Sequence, residues 1–393
     1  ANDGNDLSFF ARKVPSMGYK TYPVLTNPIP EVERYVSIHE GDAVIENGFF
    51  KVKINPENGA LVSVWDKRFQ KEMVNPKSEY GFGEYVHEKF GNDEIDRYNN
   101  SYVKPGHHGW ADPEMARPKD EVLQYAMEKG KVRRIKYDKT SHSVRATVFC
   151  QTEAGDDYLL SYTLEDYSPY VEINWSLRNK PADPQPEAGW LVFPFNVDEP
   201  TFRLGRTGGV VNPAVDFIKN TNHDYFFVNT GLAVINGQGD GFGLNTPNAP
   251  AISLGRPGLF RFSGSFVPQQ SNVFVNLFNN QWGTNFTEWI EGGLSAKMYL
   301  WSVSSYGNEK SLITPIEETR TPLLATYVEG KGGLLPRMAS GITLSKKGIL
   351  LTAYGPNRNG DGDVLRLWEQ AGETGKCIIT IPSSAYHKAQ PCN

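Results

Sequence analysis

The run YVEINWSLR, Tyr170 to Arg178, constrains the fold most, because its apolar positions alternate without a break. Val171, Ile173, Trp175 and Leu177 fall on one side of an extended chain, and Tyr170, Glu172, Asn174 and Ser176 on the other. A period of two belongs to a strand with one buried face, whereas a helix repeats about every 3.6 residues. Similar readings hold for FFKVKIN (Phe50, Val52, Ile54), SVRATVFCQT, NVFVNLF, KMYLWSV and CIITI. Turn formers separate these runs: NPENGA after the first, then NGQGDGFG near 236, LGRPG near 254 and NRNGDGD near 357. Many strands at regular punctuation predict an all-β chain built as a sandwich or a pair of sandwiches.

Helical periodicity is local. The best stretch is Glu84 to Asn99, EYVHEKFGNDEIDRYN, and a short piece could start at Asp112, where an aspartate N-cap precedes Pro113. Both read as insertions decorating a sheet. NKPADPQPEAG, Asn179 to Gly189, is a proline-stiffened connection. Strand signals lapse after SSYGNEK and resume in a final block. The expected division is 1–35 as a strand or linker, 36–305 as the large β domain, and 306–393 as a small one.

Charge and composition exclude whole classes of function. At 393 residues the chain can bury a large core, but its net charge of -5, with lysines and arginines scattered, gives no surface for collecting phosphates. Nucleic acid is therefore not an expected partner. No apolar run approaches the roughly 18 residues of a membrane span, and ANDGNDLSFF lacks the basic flank and apolar core of a signal peptide. A soluble chain with no membrane partner is predicted. Cys150, Cys377 and Cys392 are an odd count, so disulfides are not what holds the fold.

His107 and His108 are adjacent and point opposite ways on an extended chain, and no HExxH, HxH or HxD pair occurs, so no metal site is expected. NRNGDGD places Asn357, Asn359, Asp361 and Gly362 like the start of a calcium loop, but Trp368 stands where the bidentate glutamate belongs. A hairpin turn is the better reading. There is no G-x-S-x-G elbow, and the glycines at 237, 239, 241 and 243 miss the spacing of a dinucleotide fingerprint. No catalytic residue is predicted from the sequence.

What remains is an inventory suited to sugars. Aromatic faces cover the apolar faces of pyranose rings, while amides and carboxylates take the hydroxyls. Tyr80, Tyr85, Tyr98, Tyr102 and Trp110, then Trp282 and Trp289, supply the aromatics. Of these, Tyr85, Tyr98, Trp110 and Trp282 are the candidates for carbohydrate contact. NNQWGTNFTEW, Asn279 to Trp289, is richest in the mixture, although Glu288 is its sole carboxylate. Its amides are expected to satisfy the backbone of a long loop and its aromatics to anchor it.

Four segments together resemble the C-terminal β region of family 38 glycoside hydrolases, the α-mannosidase group, and especially its bacterial and fungal branch. FARKVPSMGYKTYPV is similar to the family's strand leaving the helical middle domain. IENGFFKVKINPENGALVSVWDK is similar to the opening of its galactose-mutarotase-like super-sandwich, NNQWGTNFTEWIEGG to a later segment of it, and VLRLWEQAG to the closing small β domain. They occur in order from about Phe9 to Asn393. The resemblance implies a mutarotase-like super-sandwich followed by a small β-sandwich. It further implies the carbohydrate-binding or scaffold part of an α-mannosidase-like enzyme.

In that family the zinc ligands and nucleophilic aspartate lie in an N-terminal α/β domain, through His-x-Asp and similar motifs that this chain lacks. The implied partners are that catalytic domain, with its zinc, and carbohydrate. Within VLRLWEQAG, Arg366 and Glu369 read as an ion pair or turn lock. Two other readings stay open: a stand-alone carbohydrate-binding module, and an epimerase or lyase of the mutarotase-like fold. The latter needs a histidine facing a glutamate on the concave sheet, with His87, His107 and His223 as candidates.

Overall fold

The structure is a computed structural model. It describes the chain except residues 1, 4, 5, 8, 10, 25–34, 104–121, 154, 230, 283–288, 330–332, 383–385 and 393. The chain forms two compact units, Arg34–Arg320 and Ala1–Glu33 with Thr321–Asn393. Among the described residues no helix is long and apolar enough to cross a membrane.

The large unit is a β super-sandwich. One sheet has nine strands, in the order Lys131–Lys139, Ser143–Gln151, Asp157–Glu165, Val171–Lys180, Gly292–Val303, Gly241–Asn245, Gly231–Ile235, Thr201–Arg206 and Gly209–Val211. A second has six, in the order Ala126–Lys129, Glu84–Lys89, Glu187–Pro194, Asn272–Asn279, Ala251–Leu254 and Phe226–Phe227. A five-stranded meander spans Ser37–His39 to Lys71–Glu72. All named pairings are antiparallel, which suits strands with one face on a core.

One continuous core joins the three sheets. Val171, Ile173, Trp175 and Leu177 are buried in it, as the alternation requires, and Phe50, Val52 and Ile54 enter from the meander. Leu191 and Phe193 meet them from the six-stranded sheet, whose other face carries a second core beneath the helix Asn92–Tyr102. That double coverage explains why Glu187–Pro194 is buried at every position and shows no alternation.

Two expectations change. Glu84–Lys89 is a strand, and the helix starts only at Asn92. The strand is flanked by Ala126–Lys129 and Glu187–Pro194 and is buried on both faces from Glu84 to Glu88, so ladder pairing overrides local helix preference. Gly91 then opens the helix, its backbone N–H donating 3.2 Å to Oε2 of Glu94. The Asp112 helix start lies outside the described residues.

The second change is the boundary near 306. Residues 309–320 are helical and go with the large unit, because Leu312 and Ile316 bury themselves against Ala233, Ile235, Trp301 and Val303. Trp301 Nε1 donates 2.9 Å to the Ser311 carbonyl.

The smaller unit pairs its strands two by two. Tyr19–Lys20 joins Met338–Ala339, Thr343–Leu344 joins Ile379–Thr380, and Ile349–Pro356 joins Asp363–Glu369. NRNGDGD is the turn of that last hairpin. Glu369 is a turn lock, accepting from the backbone N–H groups of Ala371, Gly372 and Glu373. The three cysteines are unpaired.

Candidate functional site

Alternation along Glu84–Lys89 sorts its side chains into two environments. Tyr85 and His87 face the nine-stranded sheet, while Val86 and Glu88 face the second core. Tyr85 is fully buried, its ring 4.6 Å from that of Tyr158 and 5.4 Å from that of Trp175. Its hydroxyl donates 3.4 Å to Asp156 Oδ2. No face of that ring is left for a sugar, so the expectation for Tyr85 is corrected: strand parity turns it into the core.

His87 holds two carboxylates at once. Its Nδ1 lies 2.7 Å from Asp156 Oδ2, and its Nε2 lies 2.7 Å from Glu187 Oε2. The other oxygen of Glu187 accepts from Lys180 Nζ, which also donates 3.0 Å to the Pro181 carbonyl and 2.9 Å to the Ile290 carbonyl. All four side chains are buried. Burial by itself pushes the imidazole down, but the hydrogen bonds and charges of Asp156 and Glu187 outweigh it and raise His87 to about 9. Burial also works against the Asp156 carboxylate, and the hydrogen bond and charge of His87 reverse this and hold its pKa below the ordinary value. With two cations and two carboxylates, the cluster is neutral when His87 carries its proton.

The opposite face of the same strand carries Glu88. Trp190 Nε1 donates 2.8 Å to its Oε2, and the Tyr125 hydroxyl donates 3.1 Å to its Oε1. Burial pushes this carboxyl up to about 7, against the pull of those two donors.

The charged cluster underlies two chain crossings. Asn179–Gly189 carries the chain from the nine-stranded to the six-stranded sheet, and the chain returns to the nine-stranded sheet after the strand that ends at Asn279, re-entering it at Gly292. Asn280 ties the two together. Its Oδ1 accepts 2.7 Å from the Glu187 N–H, and its Nδ2 donates 3.1 Å to each of the Asp183 and Gln185 carbonyls. Asn279 Nδ2 donates 2.8 Å to Asn276 Oδ1 and lies 3.4 Å from the Tyr225 hydroxyl. The amides of NNQWGTNFTEW within the described residues thus satisfy backbone and neighbours, as their composition suggested. Residues 283–288, including Glu288, lie outside the described residues.

Beside these crossings is an open cavity of 660 Å³, lined by Asn279, Asn280, Gln281, Trp282, Trp289, Ile290 and Glu291. Trp282 is half-buried and meets Tyr102 edge-on at 5.7 Å. Trp289 is 41% exposed. Tyr98 is behind this wall, stacked on Tyr102 at 5.2 Å and hydrogen-bonded to Gln281, with 4% of its surface exposed. Of the four carbohydrate candidates, the structure sets Trp282 at the cavity, Tyr98 in support of it and Tyr85 in the core; Trp110 lies outside the described residues.

The histidine–carboxylate pair required of an epimerase or lyase exists at His87, but it is buried and both ring nitrogens are engaged. A substrate has no approach to it. His223 is also buried, with Nε2 3.3 Å from the Ile218 carbonyl, and His107 lies outside the described residues. Among the described residues no three His, Cys, Asp or Glu side chains gather to hold a metal. Sequence reasoning missed Asp156, Lys180, Glu187 and Glu88. The available signal for Glu187 was a carboxylate opening the continuous apolar run AGWLVF.

No family model matches the sequence, and no curated protein matches it. By structure, the chain is similar to a protein of glycosyl hydrolase family 38 from Enterococcus faecalis, with a TM-score of 0.62 and 14% identity over 90% of this chain and 41% of that one. It is also similar to an alpha-mannosidase from Enterococcus faecalis V583, with a TM-score of 0.62 and 13% identity over 89% of this chain and 39% of that one. Nearly all of this chain therefore has the fold of about two fifths of a family 38 glycosyl hydrolase.

Proposed function

We propose that this chain is the carbohydrate-binding and scaffolding β region of an α-mannosidase-like glycoside hydrolase. The observation that carries the reading is the likeness over 90% of this chain to a family 38 protein, at a TM-score of 0.62. The tryptophan-lined cavity at the sheet crossings supports a role in handling sugar. In this reading the bond-breaking carboxylates and the zinc belong to a catalytic domain of the parent enzyme. The described residues do not fit a zinc site, since both nitrogens of the carboxylate-flanked His87 already have partners.

Hydrolysis of p-nitrophenyl α-mannoside tests the proposal. The 393-residue chain by itself is expected to be inactive, and the product of its natural reading frame active and sensitive to chelators. Chelator-insensitive hydrolysis by the chain alone overturns the reading, as does an inactive full-frame product.

A further inference from the structure

Residues 322–329, PLLATYVE, belong to the smaller unit. Every one of them is exposed, and none lies in a helix or strand. Leu323 is 63% exposed, Leu324 96%, Tyr327 73% and Val328 79%. Single apolar residues scattered over a surface are ordinary, but four within six residues form a contiguous patch of the kind that marks an interaction site. Among the described residues no hydrogen bond reaches the segment, so its backbone donors and acceptors are open like those of a strand without a neighbour.

The order of residue types is that of a buried strand. On an extended chain Leu323, Ala325 and Tyr327 share one side, and Leu324, Thr326 and Val328 share the other. A strand with one wet face alternates apolar and polar residues, whereas a strand without a polar side belongs where both faces of its sheet are covered. Glu187–Pro194 in the large unit is such a strand. The smaller unit offers no equivalent place. Its strands are joined only in pairs, and among its described residues Ile342 and Ala371 are the only apolar ones that are buried. Two-stranded ladders do not hold a core unaided.

A second copy of the chain is a poor occupant. Two copies of the segment paired edge to edge make one more two-stranded ladder and leave both of its apolar faces bare. What the segment needs is the edge of a sheet whose faces are already covered. Under the hydrolase reading the parent enzyme has chain to supply one, since this chain spans 41% and 39% of the two family 38 structures it resembles. We propose that residues 322–329 dock as an added strand on a sheet edge in the part of the parent enzyme outside this chain. Leu323 and Tyr327 are then buried on one side, and Leu324 and Val328 on the other. The proposal rests on the hydrolase reading for its partner and adds the surface and the mode of contact.

Limited chymotrypsin digestion tests it, comparing the 393-residue chain with the product of its natural reading frame, read by mass spectrometry at the Tyr327–Val328 bond. Exposed, unpaired chain is where a protease cuts first. The 393-residue chain is expected to be cut there early, and the full-frame product at least roughly tenfold more slowly. Leu324→Asp should remove that protection from the full-frame product while leaving the melting temperature of the 393-residue chain unchanged. Equal cleavage of the two unsubstituted proteins overturns the proposal, as does a Leu324→Asp full-frame product as resistant as its parent. Protection in the 393-residue chain that disappears on dilution also overturns it, because the occupant is then a second copy. Hydrolysis of p-nitrophenyl α-mannoside is read on the same full-frame product. An active product that leaves the bond unprotected sinks the docking surface alone, and an inactive product that protects it sinks the hydrolase reading alone.

Discussion

His87 and Glu88 are consecutive residues whose side chains enter different cores, His87 between the two large sheets and Glu88 beneath the helix Asn92–Tyr102. Both titrate above their ordinary values, for opposite reasons. Two carboxylates favour the charged imidazole, whereas an apolar surrounding favours the neutral carboxyl.

For Glu88 the folded chain holds its proton up to about pH 7, while the unfolded chain releases it near 4.5. Between those values the folded state binds more protons, so the contribution to stability is complete below 4.5 and is lost as pH rises to about 7. The slope is about 1.4 kcal/mol per pH unit. Glu88→Gln should abolish this component and be more stable than the wild type at pH 8. Urea unfolding of both proteins from pH 5 to 8 checks it, and parallel curves would reject it.

The His87 contribution lies in a higher window. Its raised pKa makes its stabilisation complete below about 6.5 and lost as pH climbs to about 9. His87→Gln leaves Asp156 and Glu187 without their shared cation. It should cost roughly 3–5 kcal/mol near neutral pH and flatten the decline above it. Denaturant titrations at pH 6, 7.5 and 9 measure both effects.

Asn280 is predicted to tolerate neither loss nor charge. Asn280→Ala removes the acceptor for the Glu187 N–H and the donor for two carbonyls, at a cost of roughly 2–3 kcal/mol. Asn280→Asp keeps the acceptor but sets a carboxylate against the Asp183 and Gln185 carbonyl oxygens. It should therefore be the less stable of the two at pH 7. The order of the melting temperatures decides the point.

Lys180→Met cuts the bond to the Ile290 carbonyl and leaves Glu187 with His87 alone. Amide exchange should accelerate at residues 289–292 more than in the strand Asn272–Asn279. Uniform acceleration across the large unit would mean that Lys180 serves only global stability.

Much of the fold was legible because it is local. The alternation of Val171, Ile173, Trp175 and Leu177 is a statement about one strand with one buried face, and the burial follows it. Glu84–Lys89 was illegible for the same reason: with both faces covered from Glu84 to Glu88, it has no polar side to mark the period. The charged cluster is non-local. Asp156 and Glu187 meet His87 across 69 and 100 residues, a distance over which spacing carries no information. Trp282 and Tyr98 stand out in the sequence as residue types, yet only the three-dimensional arrangement separates the indole at the cavity from the phenol that supports it.

The anchoring of Asn280 and Ile290 also sets where the lining of the 660 Å³ cavity can be altered. Asn280 and Lys180 hold the chain with bonds that also fix the ends of the cavity lining, so changes there disturb folding before they reshape the cavity. Trp289 and Glu291 carry no such duty among the described bonds and stand exposed at the rim. Those two positions can therefore be varied to reshape the cavity lining at little structural risk.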